Sequence, residues 1–208
     1  QRQMCIRDRS NLELGTLFST YGTVAFLSYL FGGVLADKFS PKKLLSFSLI
    51  FTSFGGFYMM SYPSYFSLQL LYAYWGFTTV FLFWAPMIKA TTIIGGLNKQ
   101  GKTFSFLDAG RGIVASSIGL IGVLIFSLVV IGDISDLTIN EKQVAFRYVI
   151  AASSAIVFLT GVIVYFSLNI KIKDVANIGD FSDMKNLVKS KSVILIGFSG
   201  GFRRSELV

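Results

Sequence analysis

Residues 33–43, GVLADKFSPKK, set one carboxylate, Asp37, among the ammonium groups of Lys38, Lys42 and Lys43, with Gly33 one helical turn before the acid and Pro41 just ahead of the last two lysines. The chemistry open to this set is ion pairing that can be made and broken. A carboxylate at the end of a helix sits unfavourably against that helix's negative C-terminal dipole, so Asp37 requires outside partners. Three are available: Lys89, Arg111, or the positive N-terminus of another helix. Asp108 and Arg111, three residues apart, can pair along one helical face. Covalent catalysis has little to work with. Histidine, the commonest general base and metal ligand, is absent, and the single cysteine, Cys5, can close no intrachain disulfide and fits no metal spacing. No Gly-rich phosphate loop, zinc spacing or nucleophile elbow occurs. The chain therefore reads as a protein that is not an enzyme, with no catalytic residues, metal or cofactor.

The elements that must hold these charges are apolar. Hydrophobic residues make up 53% of the chain and charged residues 14%, against about 25% charged in an ordinary soluble domain. The mean hydropathy is +0.64. The net charge of +8 has no broad polar face on which to gather, which excludes nucleic acid as a partner. Five apolar runs, 14–36, 44–62, 68–88, 113–131 and 146–170, approach the roughly 20 residues needed to cross the hydrocarbon of a bilayer. The expected fold is all-α, a polytopic transmembrane helical bundle over residues 11–170. Residues 1–10, QRQMCIRDRS, read as a non-native lead segment and are set apart from it. Residues 171–192 read as a cytoplasmic linker, either an amphipathic helix on the inner leaflet or a hinge. Residues 193–208 read as the truncated start of a further span.

Lysine and arginine in short connectors stay on the cytoplasmic side. Lys38, Lys42 and Lys43 follow the first run; Lys89, Lys99, Lys102 and Arg111 lie between the third and fourth; Lys171, Lys173, Lys185, Lys189 and Lys191 follow the fifth. The opposite connectors hold only Lys142 and Arg147, near Asp133, Asp136 and Glu141. Residues 37–43 and 89–111 are thus expected in the cytoplasm of a cell whose plasma (inner) membrane holds the protein, and Ser64 and Asp136 outside.

Residues 33–43 resemble the cytoplasmic loop motif of the major facilitator superfamily, G-x-x-x-D-[RK]-x-G-x-[RK]-[RK]. Gly33, Asp37, Lys38, Lys42 and Lys43 fall on its positions, and Ser40 stands where the family usually has glycine. The stretch FWAPMIK, 83–89, followed by GGLNKQGKTFSFLDAGRG, 95–112, is similar to the family's fourth helix end and the loop into its fifth, with Lys89 where many members carry arginine. The resemblance covers residues 11 to about 198 and implies the second to sixth helices of such a transporter plus its central loop, the partial N-terminal half.

It further implies a secondary transporter of a small solute working by alternating access, with residues 33–43 as a cytoplasmic gate and Lys89, Asp108 and Arg111 as possible latch partners. The implied partners are a small-molecule substrate, the lipid bilayer and a missing second half of the same transporter. The five runs would not all serve alike: in the family the helices matching the first, third and fourth, 14–36, 68–88 and 113–131, line the cavity, which nominates Tyr21, Tyr29, Tyr72, Tyr74, Trp75, Trp84 and Ser116. Small residues Gly15, Ser19 and Gly22, and Gly112, Ala115, Ser116 and Gly119, mark faces suited to close helix approach. The run GKTFSFLDAGRG is similar to members carrying small anions such as nitrate, nitrite or organic phosphates. The alternative class is a non-transporting membrane scaffold or an integral membrane enzyme. No Asp or Glu lies mid-membrane in any run, so these spans offer no proton relay.

Overall fold

The computed structural model describes residues 11–96, 98–129 and 138–168. These lie within the first of two compact units, Gln1–Ile172. The lead segment, the linker, the expected start of a further span at 193–208 and the connector holding Asp133 and Asp136 lie outside the described residues. Within them the chain is helical: α1 (Asn11–Lys38), α2 (Pro41–Met59), α3 (Tyr65–Gly76), a π-helical stretch (Phe77–Trp84), α4 (Ala85–Gly95), α5 (Gln100–Val129) and α6 (Ile139–Ser167).

Local chemistry explains the starts and stops. Pro41 occupies the first turn of α2, where its missing amide costs nothing, behind the extended Ser40. Ser64 caps α3 by accepting from the Ser67 amide. Thr138 and Glu141 form a capping box on α6, with the Thr138 amide donating to Glu141 Oε2 at 2.8 Å. Gly96 ends α4 at φ 55° and ψ −170°, a conformation that only glycine adopts readily.

Helix α3, the π stretch and α4 form one rod, Tyr65–Gly95. Pro86 lies inside it and removes the amide that would bond back to the preceding turn. The wider π turns stand immediately before that proline and absorb the break without ending the rod. The rod packs on α1 through its α3 and π portions, and α2 packs mainly on α6. A Cβ built on Gly76 would lie 2.7 Å from the Tyr21 carbonyl oxygen, so only glycine permits this approach of α3 to α1. Helix α1 bends by 53° between Asn11–Tyr29 and Phe31–Lys38, beside the Gly32–Gly33 pair.

Helix α2 is built inside out relative to a soluble helix. Ser46, Ser48 and Ser53 are buried, whereas Phe47, Phe51, Phe54 and Phe57 are exposed. Lipid is as apolar as phenylalanine, so helices in a membrane associate through small residues and hydrogen bonds. Ser46 Oγ donates to the Gly161 carbonyl of α6 at 2.6 Å, and Ser48 Oγ to the Thr78 carbonyl of the π stretch at 2.7 Å. Tyr74 Oη donates to the Phe51 carbonyl at 2.6 Å and Trp75 Nε1 to that of Thr52 at 3.2 Å. At the end of the bundle away from Lys38, Tyr62 (φ 50°) donates its hydroxyl to the Gln143 carbonyl at 2.6 Å beneath Arg147, whose guanidinium lies 5.5 Å from the ring centre.

Among the described residues, Tyr65–Gly95, Gln100–Leu128 and Asn140–Ser167 are long and apolar enough to cross a membrane, and α1 makes a fourth if its two bent halves cross as one. Helix α2 covers the run 44–62 but is not among them: it is 19 residues long and carries Pro41, Lys42 and Lys43 in its first turn. The other runs differ at their ends. The stretch 89–111, expected as a charged connector, is mostly helix: the rod continues to Gly95 and α5 opens at Gln100. Similarly Lys142 and Arg147 lie in the first turns of α6 rather than in a loop. Charge marks where hydrocarbon ends, and a helix continues into the headgroup layer as long as its backbone bonds close.

Candidate functional site

At the end of α1 the backbone leaves carbonyls without intrahelical donors. Lys89, on the second turn of α4, reaches them. Its Nζ donates to the Ala36 carbonyl at 2.7 Å, to the Asp37 carbonyl at 3.4 Å and to Asp37 Oδ1 at 3.3 Å. The lysine is only 8% exposed and Ala36 3%, so the ammonium is buried against the negative end of α1. An ammonium taken out of water costs several kcal/mol unless its protons are bonded, and here the carbonyls and the carboxylate supply the bonds. Asp37 keeps an outward side, its side chain being 36% exposed. Of the three partners open to Asp37 in the sequence, the structure brings Lys89 to it.

Beneath this junction lies an apolar cluster of Leu45, Met87 and Ala90, with Phe83, Trp84, Leu107, Val164 and Leu168 against it. It ties the start of α2 to α4, α5 and α6 and fixes the direction from which Lys89 approaches. The remaining residues of 33–43 separate by role. Lys38 and Lys43 are exposed, while Lys42 lies 5.4 Å from the ring centre of Tyr165 on α6 as a cation–π contact. A Cβ on Gly33 would meet nothing within 4 Å. Gly32 is the crowded glycine, 3.4 Å from the Phe81 carbonyl oxygen by the same construction.

Arg111 stands elsewhere. Its Nη1 lies 3.4 Å from Asp108 Oδ1, with both side chains largely exposed, and its guanidinium carbon sits 5.0 Å above the Trp84 ring. The nominated cavity residues also divide. Tyr29 and Ser116 are exposed. Tyr72 lies between Phe18, which it meets edge to face at 5.7 Å between ring centres, and Trp75, whose ring is tilted against it at 5.6 Å. Tyr74 and Trp75 spend their polar atoms on α2 carbonyls, and Tyr21 Oη lies 3.1 Å from Thr79 Oγ1. Gly15, Gly22, Gly112 and Gly119 have open space beside them. Sequence reasoning missed the bonds that Ser46, Ser48, Thr52 and Thr78 make across helices, although serines recurring within a phenylalanine-rich run were a visible signal.

Apolar helices joined by small and hydroxyl residues, with a buried lysine fixed on a helix terminus at one end, define a polytopic α-helical membrane protein. The model of the Major Facilitator Superfamily matches residues 7–203, and the chain belongs to that superfamily, whose members are membrane transporters. Among curated proteins, the inner membrane protein YqcE of Escherichia coli (strain K12) is 29% identical over 157 residues, 76% of this chain and 35% of its own length. The inner membrane protein YihN of the same organism is 26% identical over 197 residues, 91% of this chain and 44% of its own. The uncharacterized protein MG294 homolog of Mycoplasma pneumoniae is 27% identical over 128 residues, 57% and 26% of the two chains. The chain spans less than half the length of these relatives. No solved structure matches it.

Proposed function

We propose that this chain is the partial N-terminal half of a secondary transporter that moves a small anionic solute across the inner membrane by alternating access, and that Asp37 and Lys89 latch its cytoplasmic side. The observation that carries the latch is the buried Lys89 ammonium bonded both to the end of α1 and to Asp37. Two membrane elements are joined by contacts that a rocking motion can open together. The relatives' names support the inner membrane, and their lengths support a second half of the same transporter. Within this reading all five runs cross. Helix α2 does so with its phenylalanines toward lipid, since 19 residues span about 28 Å. Tyr29 and Ser116, exposed on α1 and α5, would face the solute path together with Trp84.

Orientation is tested by single cysteines in a variant lacking Cys5. Ser64→Cys should react with an impermeant thiol reagent in intact cells, and Asn98→Cys should react only after the membrane is opened. Labelling of Asn98→Cys from outside overturns the orientation and with it the cytoplasmic latch.

Transport is tested by reconstituting the intact protein in liposomes preloaded with unlabelled nitrate, inorganic phosphate or glycerol 3-phosphate and measuring entry of the same labelled anion. Exchange needs only a carrier that alternates, so at least one anion should exchange about tenfold faster than in empty liposomes. Equal rates for all three overturn the small-anion reading.

A further inference from the structure

A slot runs between α2 and α3 at the end of the bundle away from Lys38. It bounds about 670 Å³ and stands open on one side. Phe54 and Tyr58 line it from α2 and Leu70 and Tyr74 from α3, while the buried Gly55 and Leu71 lie at its floor. Hydrogen bonds to the α2 backbone keep the neighbouring rings from closing it. Tyr74 is tied to the Phe51 carbonyl at 2.6 Å and Trp75 to that of Thr52 at 3.2 Å. Nor does a larger residue at position 55 fill it, since a Cβ there would lie 2.4 Å from Trp75 Nε1. An open slot of this kind forfeits dispersion contacts along its lining until something occupies it.

The lining sets what that occupant is. No charged side chain lines the slot, and its α2 wall is continuous with the exposed phenylalanine face of Phe47, Phe51, Phe54 and Phe57. The hydroxyls not spent on the backbone stand at the outer end. Ser67 Oγ accepts from Ser64 Oγ at 3.1 Å and so keeps its own proton to donate. Tyr58 is the residue next to the end of α2 at Met59. From Ser67 inward to Tyr74 the rod advances about 10 Å, roughly two-thirds of the 15 Å of hydrocarbon in one leaflet. Hydroxyls at the rim and a neutral, apolar slot beneath them match the glycerol ester and the upper acyl chain of a phospholipid.

The geometry points to this slot as a fixed seat for one acyl chain of a phospholipid in the leaflet away from Lys38, with Ser67 and Tyr58 donating to the ester oxygens above it. This rests on the reading that α2 crosses the membrane. Bulk lipid is as apolar as the lining, so the preference for the seat comes from those two bonds and from a shape already held open.

The intact protein in dodecyl maltoside micelles is titrated with phosphatidylcholine carrying a photoactivatable diazirine in mid-chain, and the labelled residues are mapped after illumination. Labelling at Phe54 and Leu70 should saturate, whereas labelling at Phe47, exposed on the same face outside the slot, should rise in proportion to the lipid added. Leu70→Trp, which puts an indole into the slot, should lower labelling at Phe54 about tenfold and leave Phe47 unchanged. Ser67→Ala should raise the half-saturating lipid concentration severalfold through the lost hydrogen bond. Proportional labelling at every position overturns the seat and leaves the crossing of α2 intact. Labelling at Phe47 with none in the slot also overturns it, and shows protein over the slot, a second copy or another part of the transporter. Absence of labelling at Phe47 as well sinks the crossing of α2 and the seat with it. Unchanged labelling at Phe54 in Leu70→Trp overturns the assignment; if that variant fails to fold, an unchanged half-saturating concentration in Ser67→Ala does so instead.

Discussion

Asp37→Asn in the intact transporter should slow initial uptake by about five- to 150-fold while the amount of protein in the membrane stays near that of the wild type. The substitution keeps the side-chain shape and deletes the charge facing Lys89 Nζ at 3.3 Å. A partly buried pair of this kind biases a two-state equilibrium by about 1–3 kcal/mol, which gives that range in population. Folding is spared because Lys89 keeps its shorter bond, 2.7 Å to the Ala36 carbonyl. Lys38→Gln should have little effect, since Lys38 is exposed, and Lys42→Gln slightly more, since it releases Tyr165. Uptake and expression measured side by side check this. Wild-type transport by Asp37→Asn would reduce residues 33–43 to a topology signal.

Exchanging the two charges should not rescue the latch. In Asp37→Lys with Lys89→Asp the ion pair is formally restored, yet a carboxylate now faces the Ala36 and Asp37 carbonyl oxygens at the negative end of α1. The new lysine is the one donor left to the buried carboxylate, the α1 carbonyls lose theirs and face an anion instead, and breaking such a site costs about 3–5 kcal/mol. The swapped protein should therefore unfold at a lower temperature than either the wild type or Asp37→Asn, and should transport no better than the single variants. Recovery of half the wild-type rate would show that the carboxylate–ammonium pair alone is the latch and that Lys89 has no part as a cap of α1.

The apolar runs were legible because a bilayer imposes length and hydrophobicity on any segment that crosses it. Their ends were not, because Lys89 and Arg111 report the edge of hydrocarbon rather than the end of a helix, and both stand inside helices. The position of Asp37 at a helix terminus and its need for a partner followed from helix electrostatics. Which partner it takes depends on the cluster around Leu45, Met87 and Ala90, whose residues come from distant parts of the chain. The motif drew attention to Gly33, whereas close packing falls on Gly32, because the identity of the crowded face is set by Phe81 on another rod. The aromatic residues Tyr74 and Trp75 suggested a solute path by type; their bonds to α2 carbonyls show that a polar tip in lipid first seeks a backbone acceptor.

The π-helical stretch Phe77–Trp84 has a consequence for the direction of Lys89. A π turn takes more residues than an α turn, so each residue there advances the azimuth by less than the 100° of an α-helix. A helical wheel drawn with one period from Leu68 onward therefore accumulates an angular lag and assigns Lys89 to the wrong side of the rod. The lysine meets α1 only because eight residues ahead of it set the phase of everything that follows. Loss of a single residue anywhere in 77–83 would shift that phase by close to a quarter turn, carrying Lys89 off the end of α1 and Trp84 out from under Arg111 without altering any of them.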